Sequence, residues 1–315
     1  MASVRLLVTA TRICLILTQM AHAIVPHSVQ DKPDVEECGV RNQSNLWPFH
    51  VGLYRAERNE SFYFCGGTIV SGWHVIVSAH CVTPYRLEQL SVRYGVSDLS
   101  TVDHTDRCRV GQLIVHPDYR APDFSNDLAL LLLLDPIPIG PLAQPVCLWP
   151  TKSDNMTSTG GDLAGTRGIS VGWGVGPRNF YTIVLQRATT EILRQNLCLD
   201  VFSGILFEKN DFFCAVTPVC SGSGGSGFYV QIGERYYLRG ITTFGIEAKG
   251  RYQCGINTLT GLLNMARYTE WIKQQIGASF GLRIWDPVFP ALRGRRTLHG
   301  KTGEKEANFS SPIYP

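Results

Sequence analysis

From about Trp47 to Gly277 the sequence breaks into short apolar or alternating runs, each closed off by Gly, Pro, Asn or Asp. Phe49 to Tyr54, Gly67 to Val70, His74 to Ser78 and Leu128 to Leu134 are examples. Runs of this length suit strands rather than helices, and so many at this spacing predict an all-β sandwich or barrel. The exception comes last. Tyr268, Trp271, Ile272 and Ile276 recur at three- and four-residue steps, which predicts a short amphipathic helix stopping at Gly277. The chain has 315 residues, 44% of them hydrophobic, enough for a sizeable core. A net charge of +3 with 17% charged residues indicates neither a nucleic-acid partner nor an anionic membrane surface.

The two ends differ from this middle. Residues 1–23 pair Arg5 and Arg12 with the apolar stretch Ile13 to Leu17 and end on Ala21-His22-Ala23, which reads as a secretory signal cut after Ala23. The apolar stretch falls short of the roughly 20 residues a membrane span needs. Residues 24–45 form a polar, Pro-containing lead segment, 46–277 the domain, and 278–315 a basic tail expected to be disordered. In that tail Arg293-Gly294-Arg295-Arg296 resembles a cleavage signal for furin-like convertases, against the plainer reading of a solvated basic tail.

Export would put the chain in an oxidising compartment. Of ten cysteines Cys14 falls in the leader, leaving nine, which should be mostly disulfides. No Cys-x-x-Cys or His cluster marks a metal site, and no cofactor motif stands out. Sequons at Asn42, Asn59, Asn155 and Asn308 fit the same route.

Three stretches carry the chemistry. Val77-Ser78-Ala79-His80-Cys81 sets a histidine at the end of a strand, sixteen residues after Cys65-Gly66-Gly67. Asn126-Asp127-Leu128-Ala129-Leu130-Leu131 sets an aspartate at the mouth of an apolar strand, and Cys220-Ser221-Gly222-Ser223-Gly224-Gly225-Ser226-Gly227-Phe228 is a glycine-serine loop. In this order they resemble the chymotrypsin/trypsin-like serine proteases, as do Val171-Gly172-Trp173-Gly174, Pro145-Val146-Cys147-Leu148 and the closing Tyr268 to Ile272. The resemblance spans nearly all of residues 46–277. It implies two six-stranded antiparallel β-barrels with a short C-terminal helix and the site between the barrels. It also implies the disulfides Cys65 with Cys81, Cys198 with Cys214, Cys220 with Cys254, and Cys38 with Cys147. Cys108 is left over, either to link a partner chain or to pack as a buried thiol.

In such a site the imidazole takes a hydroxyl proton while the carboxylate fixes the ring and stabilises its charged form, roles that fall to His80 and Asp127. With no nucleophile facing it, the same pair is a satisfied buried couple kept for stability. Members of the family read Cys-x-Gly-Asp-Ser-Gly. Laid down from Cys220 without a gap, this chain puts Gly222 at the oxyanion glycine, Ser223 at the aspartate and Gly224 at the nucleophile. The alternative makes Ser223 the nucleophile, at the cost of a deletion inside a turn where errors near 1 Å cost ~100-fold in rate. The Ile-Val-Gly-Gly terminus that pairs with the family's aspartate is absent as well, the chain passing from Cys38-Gly39-Val40 through Leu46 into Trp47-Pro48. At the specificity pocket Pro218 stands where trypsin-like members keep an aspartate, Thr243-Phe244-Gly245 replaces Ser-Trp-Gly, and Gly261 holds a wall position. The expected molecule is a secreted protease homologue that works by binding an extracellular protein, an active protease or its substrate. Its rival is an active endopeptidase using Ser223.

Overall fold

The computed structural model of the chain describes residues 38–41, 47–58, 60–101, 107–151, 163–174, 183–202, 211–217, 222–246 and 258–285. Residues 1–23, read as a signal, all four sequons, the Arg293–Arg296 tetrad, Pro218, Cys220 and Cys254 lie outside them.

The first barrel takes the strands β1 (His50–Glu57), β2 (Glu60–Ser71), β3 (His74–Val77), β4 (Leu90–Tyr94), β5 (Arg107–Val115) and β6 (Ala129–Leu133). They close antiparallel in the order β1-β2-β3-β6-β5-β4. The apolar run at β6 is continuous because both faces are covered. Ala129, Leu131 and Leu133 fill the barrel with Val75 and Val77 of β3, whereas Leu130 and Ile76 point into a second cluster. That second cluster joins them to Phe49, Val171, Phe212, Tyr229, Leu238, Ile241 and Leu263, residues of the other barrel among them. Strands that are apolar on alternate faces toward two different cores read as unbroken hydrophobic runs.

The second barrel follows β7 (Cys147–Leu148) and comprises β8 (Arg167–Gly172), β9 (Gln186–Glu191), β10 (Phe212–Thr217), β11 (Gly227–Ile232), β12 (Arg235–Ile246) and β13 (Thr258–Asn264). These run in the order β10-β13-β12-β11-β8-β9, and an antiparallel bridge between Ile192 and Ala215 draws the two ends together. The six expected strands are present, but β7 adds a seventh, parallel to β12 through Tyr237 and Cys147. Among the described residues the α-helices are α1 (Ala79–Val82), α2 (Gln195–Val201) and α3 (Thr269–Trp285).

One boundary differs from the sequence reading. Helix α3 does not stop at Gly277 but runs on to Trp285, so residues 278–285 are helix rather than tail. An interior glycine costs only about 1 kcal/mol against alanine. Here it sits in open space, and two residues on Ser279 bonds the carbonyl of Gln275, 2.7 Å away. The lead segment is fastened to the domain at Cys38, through the bond that the resemblance implied. Cys38 is bonded to Cys147, Gly39 donates to the Pro145 carbonyl and accepts from Tyr236, and Arg235 donates to the Cys38 carbonyl. Gly39 holds φ +75°, and a Cβ there would meet the Tyr236 carbonyl at 2.5 Å, so no other residue fits. Cys65–Cys81 and Cys198–Cys214 are likewise formed, and Cys108 is a buried thiol in the first core. Among the described residues no helix is long and apolar enough to cross a membrane.

Candidate functional site

His80 is carried on α1, which begins as β3 ends, and Asp127 immediately precedes Leu128 and β6. Because β3 and β6 are hydrogen-bonded neighbours, with Val77 opposite Ala129, their ends bring the two residues together. Asp127 is wholly buried. One carboxylate oxygen accepts the His80 backbone N–H at 2.8 Å, the other faces Nδ1 at 2.7 Å. A buried carboxylate is tolerable only when paired in this way. Since the ionised carboxylate can only accept, Nδ1 carries the proton and Nε2 is the nitrogen left for chemistry. The His80 side chain stays 28% exposed. Upstream of Asp127 the chain passes through positive φ at Phe124 (+56°) and Asn126 (+51°). Asparagine adopts this conformation readily, but for phenylalanine it is strained. The turn is fastened by Tyr268, whose hydroxyl donates to the Asn126 amide oxygen at 2.9 Å, and by the Asn126 amide donating to the Asp118 carbonyl. Nearby Tyr119 is pushed up to about 12, by burial first and by the Asp127 charge second.

The glycine-serine loop delivers Gly224 to this couple. A Cβ built on Gly224 would lie 3.0 Å from His80 Nε2 and 2.9 Å from Cys81 Sγ, so the hydrogen-only face of this residue is what the imidazole meets. Ser223 does not meet it. Its side chain is completely buried, and its hydroxyl has no hydrogen-bond partner among the described residues. The loop is held from several sides. Ser226 N–H donates to the Ser223 carbonyl in a turn whose third residue, Gly225, has φ +77°, a type II arrangement that wants glycine there. Gly225 donates to the Thr242 carbonyl, the Gly224 carbonyl accepts from Gly66 N–H, and the Tyr63 hydroxyl donates to the Gly222 carbonyl at 2.6 Å.

Thr243, Phe244, Gly245 and Gly261, the residues that the resemblance puts at a specificity pocket, meet across β12 and β13, where a register shift between Thr242 and Phe244 sets Phe244 opposite Gly261. The Phe244 ring lies over that glycine, 2.2 Å from where its Cβ would be. It also packs on Phe202 and Phe212, and through Phe124 the aromatic row continues to the His80 ring.

Cys65, His80 and Cys81 bring a nitrogen and two sulfurs within 4.8 Å of one another. Both sulfurs are spent in one disulfide, so no thiolate is present to bind a metal, and the Cys81 sulfur 3.4 Å from Nε2 has no hydrogen to donate.

Sequence reasoning passed over Tyr63, Phe124, Thr242 and His50. Tyr63 and Thr242 hold the loop, Phe124 lines the ring, and His50 is buried against Trp173. None lies in a recognisable motif; Tyr63, two residues before Cys65, had its position beside a motif as its one signal.

Two antiparallel barrels, with a histidine–aspartate couple and a glycine-rich turn facing one another, define the double-barrel serine peptidase class. The chain belongs to the trypsin family, whose profile, described as Trypsin, matches residues 37–272. It is 28% identical to "Inactive CLIP domain-containing serine protease A28" of Anopheles gambiae, over 73% of this chain and 61% of that protein. It is 26% identical to "Limulus clotting factor C" of Carcinoscorpius rotundicauda, over 76% of this chain and 25% of the relative. Identity to "Vitamin K-dependent protein C" of Mus musculus is 28%, over 68% of this chain and 46% of that protein. The chain thus spans between a quarter and about three-fifths of these relatives.

Proposed function

We propose that this chain is a catalytically silent trypsin-family protein, secreted, that acts by binding another extracellular protein as a regulator or cofactor in a proteolytic cascade. The observation that carries the reading is Gly224 opposite the free ring nitrogen of His80, with the built Cβ only 3.0 Å from it. A nucleophile must stand within hydrogen-bond reach of its base, and a glycine has none to offer. Removing the nucleophile costs on the order of a million-fold in kcat in a comparable triad enzyme. The His80–Asp127 pair persists in this reading because removing either partner strands a buried polar group. Supporting lines are the absence of an Ile-Val-Gly-Gly terminus together with Ser223 at the position that would pair with it, three disulfides suited to an oxidising compartment, and relatives named for inactivity and for clotting.

The test is a fluorophosphonate probe on the purified protein, with an active trypsin-family protease alongside. No covalent labelling is expected. Labelling that disappears in Ser223→Ala overturns the reading and makes the protein an endopeptidase working through Ser223, His80 and Asp127.

A further inference from the structure

Cys65–Cys81 and Cys198–Cys214 each join cysteines 16 residues apart, and all four residues are nearly sealed: Cys65 is 7% exposed, Cys81 3%, Cys198 5% and Cys214 1%. Loop length and burial therefore give neither bond a marked advantage over the other. Their neighbours differ. Cys198 and Cys214 pack among Phe202, Leu193, Phe244 and Leu259. The Cys81 sulfur instead lies 3.4 Å from His80 Nε2, the ring nitrogen that Asp127 leaves over, and both sulfurs lie within 4.8 Å of a nitrogen of that ring. With only hydrogen on its Cα, Gly224 puts no side chain over this pair. A Cβ built there would have Cys81 Sγ at 2.9 Å, Nε2 at 3.0 Å and Cε1 at 3.2 Å as its nearest atoms, so one position touches both the sulfur and the base. Cys65 Sγ is not among those three, which makes Cys81 the sulfur met first. Gly224 is half-buried and the His80 side chain 28% exposed, so solvent reaches both residues that flank the position.

We propose that Cys65–Cys81 is a thiol-exchange site, at which a small thiol of the cysteine or glutathione type stands in for the nucleophile that the chain does not supply. His80 Nε2 takes the thiol proton, since it is the thiolate that attacks a disulfide. The thiolate sulfur bonds to Cys81 Sγ, the Cys65–Cys81 bond breaks, and its electron pair leaves on Cys65. The imidazolium, balanced by Asp127, then returns the proton to Cys65. The products are one mixed disulfide at Cys81 and one free thiol at Cys65. The incoming sulfur is oxidised and that of Cys65 reduced, so one S–S bond replaces another and no further oxidant is needed. The inference rests on the reading that no residue of this chain attacks beside His80.

The experiment incubates the purified full chain with excess reduced glutathione near neutral pH, stops samples at intervals with an alkylating agent, and reads each cysteine by peptide mass spectrometry. Cys198–Cys214, matched in loop length and burial, is the internal control. Cys65–Cys81 is expected to open at least about tenfold faster than the control, a modest share of what a positioned acid–base group contributes. The earliest samples should carry glutathione on Cys81 and the alkyl group on Cys65. His80→Gln should remove the excess and leave the control rate unchanged. Gly224→Ala, which sets a methyl group against the Cys81 sulfur, should do the same, so the outcome does not hang on the folding of one variant. Equal opening of the two bonds in the wild type overturns the inference, as does glutathione arriving first on Cys65 or an excess that survives either substitution. Fluorophosphonate labelling through Ser223 would instead remove the reading beneath it, so the two failures are told apart.

Discussion

At the scale of single residues the least expected group is His50. Its ring is 2% exposed, packs 4.9 Å from the Trp173 ring, and neither nitrogen has a hydrogen-bond partner among the described residues. It shares its surroundings with Ser226, since His50 Cε1 and Ser226 Oγ both lie where a Cβ on Gly66 would stand. Burial lowers the His50 pKa from 6.5 to about 3. In the unfolded chain the ring is protonated as pH falls through its ordinary value, while in the fold it stays neutral. Its share of stability is therefore intact above pH 6.5 and is lost as pH falls toward 3, by on the order of 4 kcal/mol at the acid end. Urea-unfolding free energies at pH 7 and pH 4 test this: the wild type should lose clearly more stability between the two than His50→Gln does. Equal losses would remove His50 from the account. None of this was legible from one histidine in Phe49-His50-Val51, because the cost depends on what seals the ring in. The pairing of His80 with Asp127 was legible, because Ala-His-Cys and Asn-Asp-Leu-Ala-Leu are local patterns.

At the scale of elements the pocket strands show why letters alone do not fix a site's shape. Thr243-Phe244-Gly245 was readable as a replaced motif, but the direction of the Phe244 ring depends on the register shift between β12 and β13. An aromatic ring over a cross-strand glycine covers backbone that would otherwise be bare. Gly261→Ala should force the ring out and destabilise the protein by about 1–3 kcal/mol, the usual range for overpacking. In Gly261→Ala combined with Phe244→Ala, the two costs should fall well short of adding, a coupling that thermal or urea unfolding of the four proteins would measure. Strict additivity would show that the ring and the glycine do not meet. Helix α3 teaches the same lesson at its other end. Gly277 reads as a stop signal, yet a lone glycine is a mild penalty rather than a break, and the first proline after it is Pro287, beyond the helix.

At the scale of the molecule the short-strand pattern was enough to read an all-β fold, and the resemblance carried it to two barrels. The minor seventh strand β7 was not legible, since two residues leave no periodicity. It adjoins the bond most telling for stability. Cys38–Cys147 spans 109 residues, which include the whole first barrel. Closing a loop of about that length is worth up to about 5 kcal/mol in chain entropy. Replacing both cysteines by serine should lower the unfolding free energy by roughly 3–5 kcal/mol, measured in denaturant without reductant; a loss below about 1 kcal/mol would mean that the Gly39 and Arg235 hydrogen bonds hold the segment by themselves.

That bond has a further consequence. The disulfide gives residue 38 a second covalent path, through Cys147, that bypasses residues 42–46, so a single peptide cut there would shorten no piece of the molecule on a non-reducing gel. Such a cut would yield a light and a heavy chain travelling together, and whatever precedes Cys38 would stay fastened to the second barrel until a reductant let it go.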